Sequence, residues 1–196
     1  MLAHGTTPAG AETEQQAARW VRGMFGRIAP RYDLLNHLLS MNIDRYWRAR
    51  TVARVAPILA QPGARVLDVC CGTGDLTLAL NSRSRSAQIF GSDFCHPMLE
   101  KANGKTANGR WFEADALQLP IDDASLDLVT VAFGFRNLAN YRGGLLELGR
   151  ILKPGGTLAI LEFSTPANAL LAGLYSFYSR AIVPALGGML SGSKDA

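Results

Sequence analysis

The chain has 196 residues, 48% hydrophobic and 18% charged, which is enough apolar sequence to bury one domain's core and too much for a disordered chain. A net charge of +4 is too small to argue for nucleic-acid binding. The basic excess is local: Arg19, Arg22, Arg27, Arg31, Arg45, Arg48, Arg50 and Arg54 stand against only Asp33 and Asp44.

Residues 1–12, rich in small and polar types without periodicity, read as a flexible tail. A helix is expected from Thr13 to Ile28, because Ala17, Trp20, Val21, Met24, Phe25 and Ile28 fall at helical spacing, and Pro30 ends or kinks it. A second helix should run from Asp33 to Leu39, and a third from Asp44, as N-cap, to Leu59, before Pro62-Gly63 breaks the pattern. Residues 13–62 thus form an expected N-terminal helical cap. From residue 63 the period changes. Strands are expected at Arg65–Cys70, Ala87–Ser92, Arg110–Glu113, Leu126–Ala132 and Thr157–Phe163, alternating with helices from Asp75, from His96 to Lys105 and from Arg142 to Leu152. Such alternation specifies an α/β domain, here 63–196, built on a mostly parallel sheet. The remainder from Pro166 reads as one apolar helix ending at Gly187-Gly188, and its apolar stretch, Ala167–Leu190, carries Arg180 and Pro184.

Cys70, Cys71 and Cys95 cannot make a disulfide framework, and with His4, His37 and His96 scattered they match no metal-ligand spacing, so no metal is expected. Met1–Gln16 lacks a signal-peptide core, and no uncharged apolar run reaches roughly 18 residues, so the expected compartment is the reducing cytoplasm.

The chemistry-bearing residues follow strands. Val66-Leu-Asp-Val-Cys-Cys-Gly-Thr-Gly-Asp75 runs a strand into a glycine turn, where Gly72 and Gly74 let a ligand approach the backbone. A dinucleotide fingerprint would need a third glycine where Thr77 stands, and Asp68 in the preceding strand would repel a pyrophosphate and attract a cation. A sulfonium ligand, S-adenosylmethionine, therefore fits better than NAD. About 20 residues beyond the turn, Asp93 is placed to accept hydrogen bonds from ribose hydroxyls, although alone it also reads as a helix N-cap. Phe94 then packs on adenine or in the core. After the third strand, Asp115 and the neighbouring Ala116 N–H can address an adenine amino group and ring nitrogen, or Asp115 can close an Asx-turn. Cys70 and Cys71 read as small apolar residues where strand meets helix rather than as catalytic thiols.

Tyr32-Asp-Leu-Leu-Asn36 with Ser40 and Trp47, the run Arg150-Ile-Leu-Lys-Pro-Gly-Gly-Thr-Leu-Ala-Ile-Leu-Glu-Phe-Ser164, and Phe133-Gly-Phe-Arg-Asn137 resemble the signatures of the C-methyltransferases of menaquinone and ubiquinone biosynthesis. The resemblance covers about Val21 to Gly192. It implies a Rossmann-like class I methyltransferase sheet, S-adenosylmethionine as cofactor, contacts to it at Thr73, Asp93, Asp115 and Ala116, and methylation of a prenylated naphthoquinol or benzoquinol. The sequence departs from the family at Asn42 (commonly Gly), Asp44 (often His), Ala132 (often Ser) and Cys70, which replaces the first Gly of the class I motif. Relatives continue past Ser191-Gly192 into a loop, a helix and an antiparallel hairpin. The chain is accordingly expected to lack the C-terminal strand pair, to expose Leu158–Leu161 as a sheet edge, and to form homo-oligomers or aggregate.

Methylating a ring carbon requires the neighbouring hydroxyl to ionise, and a phenol does so near pH about 10 unless helped. Arg136 is the candidate cation at the end of the fourth strand, the alternative being a salt bridge to an acid at the sheet edge. Asn137 is the candidate to orient a water or the hydroxyl, and Tyr32 either closes over the ring or packs the cap. The arginine-rich cap suits peripheral contact with an anionic membrane, or is simply a solvated face. Three other readings stand beside this one: a methyltransferase for another small aromatic or a lipid, a non-catalytic cofactor binder, and an NAD-dependent dehydrogenase.

Overall fold

The computed structural model describes residues 5–40 and 42–164. Helices α1 (Glu14–Ile28), α2 (Tyr32–Leu39) and α3 (Ile43–Leu59) precede an alternating series: β1 (Arg65–Val69), α4 (Asp75–Arg83), β2 (Gln88–Asp93), α5 (His96–Gly104), β3 (Trp111–Glu113), β4 (Leu126–Ala132), α6 (Tyr141–Ile151) and β5 (Leu152–Leu161). The strands form one sheet in the order β3-β2-β1-β4-β5, and every neighbouring pair is parallel. The order reverses between β1 and β4, so their carboxyl ends open the crevice where ligands of such sheets bind.

Strand alternation sorts the core onto two faces. Leu67, Val69, Val129 and Val131 point to the side covered by Leu148 and Ile151 of α6. Val66, Leu128 and Ile89 point to the other, against Val52, Val55 and Leu59 of α3 and Leu76 and Leu80 of α4. A smaller cluster of Ala29, Cys95 and Met98 joins the cap to α5.

Most element ends fall within a residue or two of expectation, with two informative exceptions. Asp44 is not the N-cap of α3. The N-cap lies two residues earlier, at Asn42, whose φ of 60° is the left-handed conformation that asparagine tolerates best after glycine. Asp44 instead turns inward, fully buried, and accepts from Ser40 and Arg48. The last strand also begins early: Leu152 leaves α6 and pairs at once with Leu126, and a bulge at Pro154-Gly-Gly156 resets the register so that Thr157 meets Leu128. Gly155, at φ +80°, makes that bulge possible. Ahead of α1, the Thr6 amide donates to the Leu138 carbonyl at 2.8 Å, so the segment before the helix lies against the loop after β4. The apolar stretch from Pro166 onward lies outside the described residues.

Candidate active site

The carboxyl ends of β1, β2, β3 and β4 and the cap enclose a cavity at the place where ligands of such sheets bind. Its floor is Cys70, Gly72 and Asp93. Phe94, Met98 and Ala114–Leu117 wall one end, Ala132–Gly134 and Asn137–Ala139 the other, and Ala18, Phe25 and Tyr32 of the cap cover it. A smaller cleft shares Tyr32, Cys70, Gly72 and Ala132 and continues beneath the glycine turn to Thr73, Asp75, Asp68 and Arg48.

Asp93 ends β2 and accepts one backbone N–H on each oxygen, from Gly72 at 2.8 Å and from Cys95 at 2.9 Å. Burial raises its pKa despite those donors. Each oxygen retains a lone pair, so the carboxylate can still accept two hydroxyls from the cavity side. Asp115 does close an Asx-turn, accepting the Leu117 N–H at 2.9 Å, and it lines the cavity as well, with Ala116 beside it. The two expected roles of Asp115 are compatible because the turn uses one oxygen.

The turn is tightly built. Gly72 has φ +55° and Gly74 φ +81°, and a Cβ on Gly74 would come within 2.5 Å of the Trp111 ring. Cys70 and Phe133, ending β1 and β4 on either side of the crevice, also hold positive φ, at 54° and 59°. Such conformations cost a non-glycine residue about 1 kcal/mol, and they mark the mouth of the crevice as the strained part of the sheet. Burial first, then the Asp93 and Asp68 carboxylates, push both the Cys70 and Cys71 thiols well above their ordinary range, so neither is a thiolate nucleophile.

Asp68 and Arg136 are both engaged by other protein groups. Asp68 shares its strand face with Val66, toward α4, and both its oxygens are taken, by Thr77 at 2.6 Å and Thr130 at 2.7 Å. It is 1% exposed, and burial raises its pKa to about 6 despite the two hydroxyls. It lines the smaller cleft with Thr73 and Asp75 and not the main cavity. Arg136 does not line the cavity. Its guanidinium lies over the Phe163 ring, 4.9 Å from the centroid, with Glu162 at 3.8 Å, which is the sheet-edge pairing weighed above. Asn137, one residue on, does line the cavity, its amide nitrogen 3.5 Å from the Phe133 carbonyl. Tyr32 covers both spaces, and burial pushes its phenol up to about 12 against the pull of Arg48 and Arg136.

Thr73, 2% exposed, lies in the smaller cleft, where its hydroxyl donates to Asp33 and accepts from Lys105 at 3.0 Å. Lys105 also pairs with Asp33 and Asp75, each at 2.7 Å, so α2, the glycine turn and α5 are joined by one polar clasp. Next to it Trp47, Phe133 and Phe163 cluster with ring centroids 4.8 to 6.2 Å apart, binding the cap to the ends of β4 and β5.

A parallel sheet reversing at β1 and β4, a glycine turn after the first strand, and carboxylates after the next two strands define a class I S-adenosylmethionine-dependent methyltransferase. Solved structures agree on the fold. A phosphoethanolamine N-methyltransferase of Haemonchus contortus, solved with phosphoethanolamine and S-adenosylhomocysteine, matches with a TM-score of 0.64 over 80% of this chain and 34% of that one, at 21% identity. A SAM-dependent methyltransferase of Aquifex aeolicus gives 0.51 over 60% and 66%, at 23% identity. The sequence narrows the class: residues 11–196 match the profile of the ubiE/COQ5 methyltransferase family, and the chain belongs to that family. It is 45% identical to the demethylmenaquinone methyltransferase of Deinococcus radiodurans, across 100% of this chain and 81% of that protein. It is 46% identical to the ubiquinone/menaquinone biosynthesis C-methyltransferase UbiE of Syntrophotalea carbinolica, across 87% and 72%.

Among the residues that meet at the glycine turn, Arg48 and Lys105 were not singled out by the sequence. Arg48 carried one local signal, its i, i+4 spacing from Asp44. Lys105 carried none.

Proposed function

We propose that the protein transfers the methyl group of S-adenosylmethionine to a ring carbon of a prenylated quinol. The carrying observation is the cavity itself: the carboxylates of Asp93 and Asp115 at one end and a mostly apolar chamber under Tyr32, beside Phe133 and Asn137, at the other. The names of the demethylmenaquinone methyltransferase relatives support the choice of a quinol. When bound, S-adenosylmethionine supplies an electrophilic methyl on a sulfonium.

The protein's own part is to place the two partners in line and to favour the ionised ring hydroxyl. With a phenol held near 12, Tyr32 is a hydrogen-bond donor at neutral pH and not a base, which suits it to a developing quinolate oxygen. Asn137 orients the same hydroxyl or a water beside it. Arg136 contributes positive potential from the rim, and Asp68 contributes negative potential beneath the turn, toward the cationic end of the cofactor. Asp93 holds the ribose, and Asp115 with Ala116 the adenine.

A prenyl tail keeps its quinol at a bilayer, and the outer side of the cap suits that surface. Leu34 and Leu38, one turn apart on α2, are 62% and 49% exposed, and Tyr46 near the start of α3 is 57% exposed with Arg45 and Arg50 on the same helix. Apolar side chains with an interfacial tyrosine and arginines favour shallow contact with an anionic membrane. No helix among the described residues is long and apolar enough to cross one.

The test is to incubate the full chain with methyl-labelled S-adenosylmethionine and, separately, prenylated demethylnaphthoquinol, the demethylated benzoquinol and a tail-less aromatic. Label on the ring of either prenylated quinol is the expected result. Transfer to the tail-less compound alone, or bound cofactor with no transfer at all, overturns the proposal.

A further inference from the structure

The two ends of the cofactor ask for different partners. Its nucleoside needs acceptors for hydroxyls and an adenine edge, whereas its amino-acid end carries a carboxylate that, once enclosed, needs a cation or several N–H donors. Strand order fixes where that end falls. Asp115 follows β3, Asp93 ends β2, the glycine turn follows β1 and Ala132 ends β4. A nucleoside held at β3 and β2 therefore directs its tail toward β1 and β4, one to two strand spacings or about 5–10 Å further along the crevice.

The cation waiting there is Arg48. It enters from α3, is 8% exposed, and lines the smaller cleft with Tyr32, Gly72, Thr73 and Ala132. Its guanidinium lies over the Phe133 ring, 5.6 Å from the centroid, which holds its plane in place. Only Nη1 is engaged: it donates to Asp44 and lies 3.5 Å from Asp75. Nε and Nη2 have no hydrogen-bond partner among the described residues. Its three remaining N–H donors are open toward the cleft and available to an acceptor that enters it. The acids beside it do not depend on it alone. Asp44 also accepts from Ser40 and meets His37 at 3.1 Å, and Asp75 is paired with Lys105.

We infer that Arg48 binds the carboxylate of the cofactor's amino-acid end through its Nε and Nη2 side. The inference rests on the cofactor lying along the crevice as set out under the proposed function. It gives the cap a part in cofactor recognition, because the residue that closes the cofactor's tail belongs to α3 and not to the sheet.

Calorimetry with two probes tests it: S-adenosylhomocysteine, which has the amino-acid end, and 5′-methylthioadenosine, which stops at the sulfur. Arg48→Met is expected to weaken S-adenosylhomocysteine by at least about tenfold while leaving methylthioadenosine within about twofold, the scale of one lost charge-assisted pair. Arg48→Lys, which keeps the charge near Asp44 and loses the planar fork, should fall between wild type and Arg48→Met on the first probe and match wild type on the second. Equal loss on both probes would mean that Arg48 merely holds α3 in place, and no loss on either would mean that the tail lies elsewhere; each overturns the inference. If Arg48→Met proves unfolded in a thermal melt, the two-probe comparison with Arg48→Lys decides by the same criterion. Asp93→Ala, run alongside, separates the two levels: it should weaken both probes, and if it weakens neither, the cofactor placement itself is wrong.

Discussion

Replacing Asp68 by asparagine isolates the energy held in one buried carboxyl. The side chain is enclosed and its folded pKa is about 6, against an ordinary value of 3.8. A folded state that binds the proton more tightly than the unfolded chain is favoured fully below the unfolded pKa, and that advantage is lost as pH rises through the folded pKa. The window is therefore pH 4 to 6, and a shift of about two units at about 1.4 kcal/mol each makes the loss about 3 kcal/mol. Asparagine keeps the shape, can accept from one threonine and donate to the other, and does not titrate. Urea unfolding of wild type and Asp68→Asn should be run at half-unit steps from pH 4 to 7.5. The stability difference, variant minus wild type, should rise by up to about 3 kcal/mol across the window and then level off. Asp33, Asp44, Asp127 and Glu147, all with lowered pKa values, drive the opposite trend in both proteins and cancel in the difference. A difference flat to within about 0.5 kcal/mol would refute the reasoning. Under the role proposed for Asp68, the variant should also bind S-adenosylmethionine more weakly.

Asp93→Ala should weaken S-adenosylhomocysteine by about 1–3 kcal/mol in calorimetry, the range for losing a charged acceptor, and unchanged affinity would remove it from the ribose site. Gly74→Ala should destabilise by about 2 kcal/mol or more in a denaturant melt, since the new methyl meets both a positive φ and the Trp111 ring. Tyr32→Phe should lower kcat for the quinol while leaving cofactor affinity within about twofold; a proportionate loss of both would make it a packing residue. Leu34→Ser with Leu38→Ser should abolish co-sedimentation with anionic vesicles, binding that in the wild type should fade with added salt and be absent with neutral lipid.

What the sequence made readable were features that repeat or that sit next to each other in the chain. Apolar periodicity placed the helices and strands, and the spacing from glycine turn to Asp93 to Asp115 put three groups on successive strand ends, where they line one cavity. The orientation of Asp68 was legible too, through the parity it shares with Val66, but its chemistry drew attention to the ligand instead of to Thr77 and Thr130. The resting place of Arg136 depends on Phe163 and Glu162, some 26 residues away, and that of Thr73 on Asp33, 40 residues earlier. Contacts of that separation leave no local trace. The family signatures found the right segments without saying what their side chains touch.

The cap precedes the sheet in the chain, and that order has a consequence for how the molecule comes into being. Its helices are synthesised before the sheet, and partners of theirs arrive later: Thr73 for Asp33, Cys95 for Arg22 after a gap of 73 residues, and Asn140 for Glu14 after a gap of 126. During synthesis α1 to α3 must wait, with Val21, Val52, Val55 and Leu59 still uncovered, until β4 and the loop beyond it have left the ribosome. Helices held in that state have a high entropic barrier to docking and an exposed apolar stripe meanwhile. The roof over the cavity is thus made before the sheet it rests on and fixed after it, and errors in folding should surface there as an intact sheet with an open cavity.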